Sequence, residues 1–297
     1  MGSMEKTVTV AVPATSANVG VGFDTLGIAL NWEAVFSFTP ADHSEITGCE
    51  ERFRGEDNLV LTSYRGACRR MDVKPVPVHI NIDSSIPLSG GLGSSSACVV
   101  AGIMGAERLA GRPHNKQLCL DIATTMEGHP DNVAPAILGG LVSSFVNGTT
   151  TTSLRFDIAD SWRFVALSPH YEVRTADARQ VVPMSVPTEL AVWQMGRIVA
   201  TIRALETGDE GLLEEVNQDR LHEPYRSKLI PDYEQLRERS LEAGACSFII
   251  SGSGSTMLAI CGNEDVAQDV VSAVKGMVEG LQVRICAASA TGAYYLE

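Results

Sequence analysis

Residues 87–97 read Pro87-Leu88-Ser89-Gly90-Gly91-Leu92-Gly93-Ser94-Ser95-Ser96-Ala97, and no other stretch of the chain is as restrictive. Glycine tolerates left-handed backbone and close approach of other groups, and serine suits the first turn of a helix. Upstream, Val76–Ile82 alternates apolar and polar residues at the period of a half-buried strand. Downstream, a helix is expected over Ser94–Leu109, stopped by Gly111. A strand, a Gly-rich turn and a helix start aim unpaired N–H groups and the positive end of a helix dipole at one spot, which suits phosphate. A plain tight turn with a serine cap fits the same residues.

Two familiar phosphate loops fit poorly. A Walker loop ends in Gly-Lys-Ser/Thr, and no lysine lies between Lys74 and Lys116. A dinucleotide loop needs a third glycine where Ser96 stands, and an acidic residue near position 116, which is absent.

Elsewhere in the first half, strands are expected at Val8–Val12, ending at Pro13, at Glu33–Thr39 and at Gly139–Val146. Helices are expected at Asn58–Met71 and from an Asn115 cap to about Glu127. Gly148–Ser153 reads as a hairpin tip or loop. Beyond about Asp160 the order is a strand (Arg163–Leu167), helices (Thr188–Glu206 with Thr188 as cap, Leu212–Gln218, Asp232–Ala243), two strands (Cys246–Ile250, Thr256–Cys261), a helix (Glu264–Val278) and a strand (Gln282–Ala287). That order suits a ferredoxin-like split βαβ layer. Two units follow, 4–160 and 161–297, with Met1-Gly2-Ser3-Met4 read as an added leader before a start at Met4.

The formal net charge of −13 argues against nucleic acid as a partner. No run of 18 apolar residues predicts a membrane span, and Met1–Thr7 has no apolar signal-peptide core. The seven scattered cysteines form no Cys-x-x-Cys pair, so neither zinc nor a disulfide framework is expected, and a reducing cytoplasm is.

The segment Pro87–Ala97 resembles the central motif of the GHMP kinases, Pro-x-x-x-Gly-Leu-Gly-Ser-Ser-Ala, departing only in Ser96 before the alanine. Pro13-Ala14-Thr15-Ser16-Ala17-Asn18-Val19-Gly20-Val21-Gly22-Phe23-Asp24 resembles the N-terminal motif, and Ser251-Gly252-Ser253-Gly254-Ser255-Thr256 the C-terminal glycine motif. Within the superfamily, Glu127-Gly128-His129-Pro130-Asp131-Asn132, Thr175-Ala176-Asp177-Ala178-Arg179 and His222-Glu223-Pro224-Tyr225-Arg226 look like the homoserine-kinase branch. Taken singly, these are also a capped turn and two surface arginines. A mevalonate-type kinase would want an aspartate at 132 and a lysine near Asn18. A ligand sensor without catalysis would show an eroded loop or a lost Glu127. None of these is seen.

The resemblance implies an α+β, two-domain GHMP kinase fold, with a ribosomal-S5-like N-terminal domain and a ferredoxin-like C-terminal one. It implies ATP and Mg²⁺, with L-homoserine as acceptor in threonine biosynthesis. ATP would be held by Pro87, Leu88, Ser89, Gly90, Gly91, Leu92, Gly93, Ser94, Ser95, Ser96 and Ala97, with Asn58 near adenine. Ser95 and Glu127 would hold Mg²⁺; the bland reading of Glu127 is a helix-end carboxylate. Arginine forks suit a carboxylate and aspartate suits an ammonium. That gives Arg179 and Arg226 the homoserine carboxylate, Asp24 its ammonium, and Asn18, His129, Asn132 and Thr175 its remaining polar atoms. Related kinases use an aspartate where Asn132 stands, and asparagine accepts no proton, so the resemblance implies direct transfer assisted by Asn132, Glu127 and Ser95. Asp131 is expected to point away, and His129 to bind rather than act as base. The sequence sets no oligomeric state; a homodimer is one option.

Overall fold

The computed structural model describes residues 7–88 and 90–297. Ser89 and residues 1–6, including Met4, lie outside the described residues. The first half contains β1 (Val8–Ala17), β2 (Leu26–Pro40), β3 (Glu45–Thr47), α1 (Leu59–Arg70), β4 (Val78–Ser84), α2 (Ser94–Leu109), α3 (Lys116–Glu127), α4 (Val133–Leu138), β5 (Leu141–Asn147) and β6 (Thr150–Phe156). The second contains β7 (Arg163–Ser168), α5 (Thr175–Gln180), α6 (Thr188–Thr207), α7 (Glu210–Val216), α8 (Glu223–Arg226), α9 (Tyr233–Glu242), β8 (Ser247–Ile250), β9 (Met257–Cys261), α10 (Glu264–Val274), β10 (Gln282–Cys286) and β11 (Tyr294–Leu296).

Among the described residues these strands form two sheets. The larger has the path β11-β1-β2-β4-β3, with β5 and β6 branching from β2. The smaller, β10-β7-β9-β8, is antiparallel throughout, with the strand order of a ferredoxin-like layer. Helix α2 carries the fold of the first half. Its residues are buried almost all round, and it can lie this close to α1 because a Cβ on Gly102 would stand 2.6 Å from the Val60 carbonyl. Small residues at such crossings let backbones approach and exclude water.

Several expectations change. Pro13 does not end the first strand. The strand continues to Ala17 because Pro13, which has no N–H to donate, sits at a register shift in the β1–β2 ladder. The hairpin tip expected at Gly148–Ser153 is confined to Gly148 and Thr149; Thr150–Ser153 already belong to β6, paired with β5 from Leu141↔Phe156 to Asn147↔Thr150. Thr188 does not cap α6: Pro187 holds that position and no side-chain cap bond forms. Residues 161–297 do not all stay with the second sheet. The last strand, β11, returns to pair with β1, and Asn31 N–H donates to Ala287 O at 3.0 Å beside it. Among the described residues, no helix is long and apolar enough to cross a membrane.

Candidate active site

Two segments far apart in sequence close around the Gly/Ser loop. Gly90 O accepts from Thr256 N–H at 2.9 Å, Leu92 O from Thr15 N–H at 3.1 Å, and Gly91 O from Ser251 Oγ at 2.6 Å. Gly93 sits in the left-handed region at φ +68°, directly before α2, and a Cβ there would stand 2.0 Å from Thr15 Oγ1. The loop's carbonyls are thus engaged with the other motifs. The first N–H groups of α2, which no helix can satisfy internally, open with Gly91, Ser94, Ser95 and Ser96 onto a cavity of about 610 Å³. That size suits a ligand site for nucleotide-scale molecules.

Glu127 ends α3, but it is more than a helix-end charge. Its Oε1 accepts from Ser95 Oγ at 2.7 Å, which brings a hydroxyl and a carboxylate together at the start of α2. Both are hard oxygen donors of the kind Mg²⁺ takes alongside phosphate oxygens. Asn132 Oδ1 accepts from Thr15 Oγ1 at 2.8 Å, which leaves Nδ2 as the open group of that amide. His129 Nδ1 donates to Asp131 Oδ1 at 2.6 Å. This bond holds the imidazole pKa above its usual value, against the opposing pull of burial. Asp131 is buried and lines the cavity. The sequence expects it to point away; in the fold its carboxylate is only 3% exposed and is held by His129.

Also lining this cavity, Arg179 makes a two-pronged ion pair with Asp24, at 3.0 and 3.1 Å. The bond to Asp24 also raises the guanidinium pKa. Asn18 places this aspartate, since its Oδ1 accepts from Asp24 N–H at 3.0 Å. Asn18 and Asp24 are both left-handed, at φ 71° and 56°, so this short turn is held by its side-chain bonds. Arg226 is not on a loop. It is the last residue of the one-turn helix α8, buried, with Nε donating to Ala178 O at 3.0 Å and Nη1 to Gly252 O at 2.9 Å. Thr175 starts α5 at the cavity edge, 3.4 Å from Ser253 Oγ.

The expected nucleotide residues do not all meet there. Pro87, Leu88 and Gly90 line an adjacent pocket of about 250 Å³, with Tyr171 and Ser255. Leu92 and Ala97 are buried anchors of the loop. Asn58 caps α1: its Oδ1 accepts from Val60 and Leu61 N–H, and its Nδ2 donates to Phe53 O at 2.7 Å. Backbone thus engages its Oδ1 and one Nδ2 hydrogen, and it is the neighbouring Leu59 that lines the cavity. Thr15 and Gly252 were missed as site residues. Both lie inside motifs already visible, but only the fold shows that they bond Asn132, Asn18 and Arg226.

Two family models match the chain: the GHMP kinases N terminal domain over residues 58–140, and the GHMP kinases C terminal domain over residues 201–280. A homoserine kinase of Clostridium botulinum is 37% identical over 276 residues, covering 93% of this chain and 92% of that protein. One from Moorella thermoacetica is 40% identical over 256 residues, covering 85% and 86%. The crystal structure of homoserine kinase from Cytophaga hutchinsonii superposes with a TM-score of 0.88 at 29% identity, covering 100% and 99%. This chain belongs to the homoserine kinase family of GHMP kinases. Against the GHMP motif its one departure, Ser96 before the alanine, has a structural consequence. The Ser96 hydroxyl lies 3.4 Å from Glu127 Oε2, so both carboxylate oxygens face a serine of α2.

Proposed function

We infer that this homoserine kinase transfers the γ-phosphoryl group of ATP to the side-chain hydroxyl of L-homoserine, giving O-phospho-L-homoserine and ADP. The observation that carries the reading is a single cavity lined by two groups of different chemistry: a helix start with Ser95 and Glu127, and the set Asp24, Arg179 and Arg226. The first group suits phosphates; the second suits a zwitterion. Homoserine would exchange the Asp24–Arg179 pair for two pairs of its own, its ammonium to Asp24 and its carboxylate to Arg179 and Arg226. An amino alcohol without the carboxylate would strip Asp24 from Arg179 and give the arginine nothing in return, so it should be a poor substrate. A coupled ADP-release assay over L-homoserine, mevalonate, galactose and decarboxylated homoserine tests this. Turnover of mevalonate or galactose with homoserine left untouched would remove the assignment.

Phosphoryl transfer has a loose transition state, so catalysis is mainly positioning and charge neutralisation. The first-turn N–H groups of α2 would hold the β- and γ-phosphates. Ser95 and Glu127 would hold Mg²⁺, which when bound neutralises phosphate charge. Among the described residues, no cluster of three or more His, Cys, Asp or Glu could hold a metal, which suits an ion that takes much of its coordination from phosphate oxygens. Glu127→Gln is expected to lower kcat and raise the Mg²⁺ concentration for half-maximal rate by about tenfold, the scale of one lost charge-assisted contact. A Mg²⁺ titration reads this; an unchanged optimum removes Glu127 from the metal site.

Asn132, held by Thr15, offers the acceptor hydroxyl a donor rather than a base. His129 is kept protonated to higher pH by Asp131, so it too is a donor to developing charge. Asp131→Asn should lower the His129 pKa, seen by NMR titration, and reduce kcat by about tenfold through lost orientation. A kcat loss of about 10³-fold or more, with the homoserine KM unchanged, would instead assign Asp131 as the general base. The seven free cysteines support a reducing compartment, the cytoplasm, as the place of this step of threonine biosynthesis.

A further inference from the structure

Helix α8 is one turn long, yet its side chains reach three segments of the site. Glu223 accepts from Ile250 N–H at 2.7 Å. Ile250 ends β8, the edge strand of the smaller sheet. Ser251 N–H, the next donor along, turns back to Thr256 O at 3.0 Å, so by strand alternation the Ile250 N–H points off the sheet. A buried donor there needs an acceptor, and Glu223 supplies it. Three residues on, Arg226 bonds the carbonyls of Gly252 and Ala178, and Asn18 Nδ2 donates to the same Gly252 oxygen at 2.8 Å. One carboxyl and one guanidinium on a single turn therefore hold Ile250 and Gly252, on either side of Ser251, the residue that meets Gly91. The start of that turn is fixed by buried Asp219, which accepts from the N–H groups of Leu221, His222 and Glu223 at 3.0, 2.7 and 2.8 Å. Glu223 itself is not among the cavity-lining residues.

We propose that Glu223 is a positioning residue for the homoserine site: by holding Ile250 it sets the glycine loop Ser251–Thr256 against α8, so that Arg226 and Asn18 converge on the substrate. The inference rests on the homoserine reading above. Burial first, and then Asp219, push the Glu223 carboxyl up to about 8, against the Ile250 N–H and the charges of Arg237 and Arg226. His222, the residue that caps α8, precedes it in the chain, and Tyr233 on α9 feels its charge. Near pH 7 the group is thus largely a neutral acid with one accepting oxygen towards Ile250. Glutamine copies that shape and that acceptor.

The test is steady-state kinetics on wild type, Glu223→Gln and Glu223→Ala, with thermal melts to confirm folding. At pH 7 Glu223→Gln should keep the homoserine KM within about twofold, while Glu223→Ala should raise it about tenfold and leave the ATP KM within about threefold, the scale of one unmet buried donor. An unmoved homoserine KM in folded Glu223→Ala, or equal damage from glutamine and alanine, overturns the proposal. If Glu223→Ala gives no cooperative melt, Glu223→Asp replaces it. Its carboxyl is one methylene short of Ile250, so its KM should rise, and an unmoved KM overturns the proposal. Wild-type turnover separates the two failures. No turnover of homoserine removes the substrate reading, whereas normal turnover with unmoved variants removes only the role of Glu223.

Discussion

Gly91→Val is expected to abolish ATP binding and to lower the thermal midpoint by on the order of 10 °C. The sequence suggests that a side chain here would fill space needed by phosphate. The structure assigns a different cause. Gly91 has φ +84°, and a Cβ on it would lie 2.1 Å from the Ser251 carbonyl and 3.2 Å from Gly254 N. Both are backbone atoms that cannot swing aside. The left-handed conformation costs an L residue roughly 1–2 kcal/mol, and forced overpacking roughly 1–3 kcal/mol more. In a chain of this size each kcal/mol moves the midpoint by about 2–4 °C. Relief can come only by prising the phosphate loop off the C-terminal glycine loop, which also turns the α2 start away from its ligand. Gly148→Val is the control: it has φ +64° with nothing within 4 Å of a built Cβ, so it carries the conformational cost alone. Calorimetric titration with a non-hydrolysable ATP analogue and a thermal melt of both variants decide the matter. Wild-type affinity in Gly91→Val would show that the loop does not hold phosphate.

Arg226→Leu should raise the homoserine KM by one to two powers of ten, leaving the ATP KM within a few-fold. Arg226 is only 3% exposed, so the reading as a surface charge, worth about 0–1 kcal/mol, is gone. Burial lowers its pKa, yet arginine stays charged, and among the described residues its bonds go to the Ala178 and Gly252 carbonyls and its plane lies 4.9 Å from the Phe23 ring. With Nε and Nη1 so engaged, Nη2 is the prong left for a substrate carboxylate. Leucine removes that prong and strips the Ala178 carbonyl of its guanidinium donor, each loss being of order 1–3 kcal/mol, while the Gly252 carbonyl keeps Asn18 Nδ2. Arg226→Lys should recover only part, because one ammonium cannot span both carbonyls and the carboxylate. Steady-state kinetics with each substrate varied in turn measures the split. A wild-type homoserine KM in Arg226→Leu would leave Arg179 as the sole clamp.

Much of the fold was legible because its signals are local. The period of two before the Gly/Ser loop, the glycines themselves and the apolar run after them set the strand, turn and helix, and α2 spans Ser94–Leu109 as the sequence predicts. Asn115 caps α3 as its position suggests, its Oδ1 accepting from Leu118 N–H at 3.0 Å. The second half follows its expected strand and helix order for the same reason. The short elements were missed. α4, α5 and α8 have too few turns to show a 3.6-residue period, and α8 exists because buried Asp219, Ile250 and Gly252 hold it. β11 is a three-residue strand that owes its place to β1, at the other end of the chain.

By itself the sequence determined the inventory: a phosphate-type loop, two companion glycine motifs, a carboxylate and a serine near one helix start, and arginines with an aspartate for a zwitterion. Those follow from residue type and local spacing. Only the tertiary structure decided who meets whom. Arg179 lies 155 residues from Asp24, and Ser251 lies 160 residues from Gly91. Such pairings carry no local period or spacing rule, because they arise from how two sheets and their helices pack, and burial in that packing then sets each group's partners and charge. The same packing buried Asp131 beside His129, gave Asn58 to a helix cap and set Glu223 against Ile250.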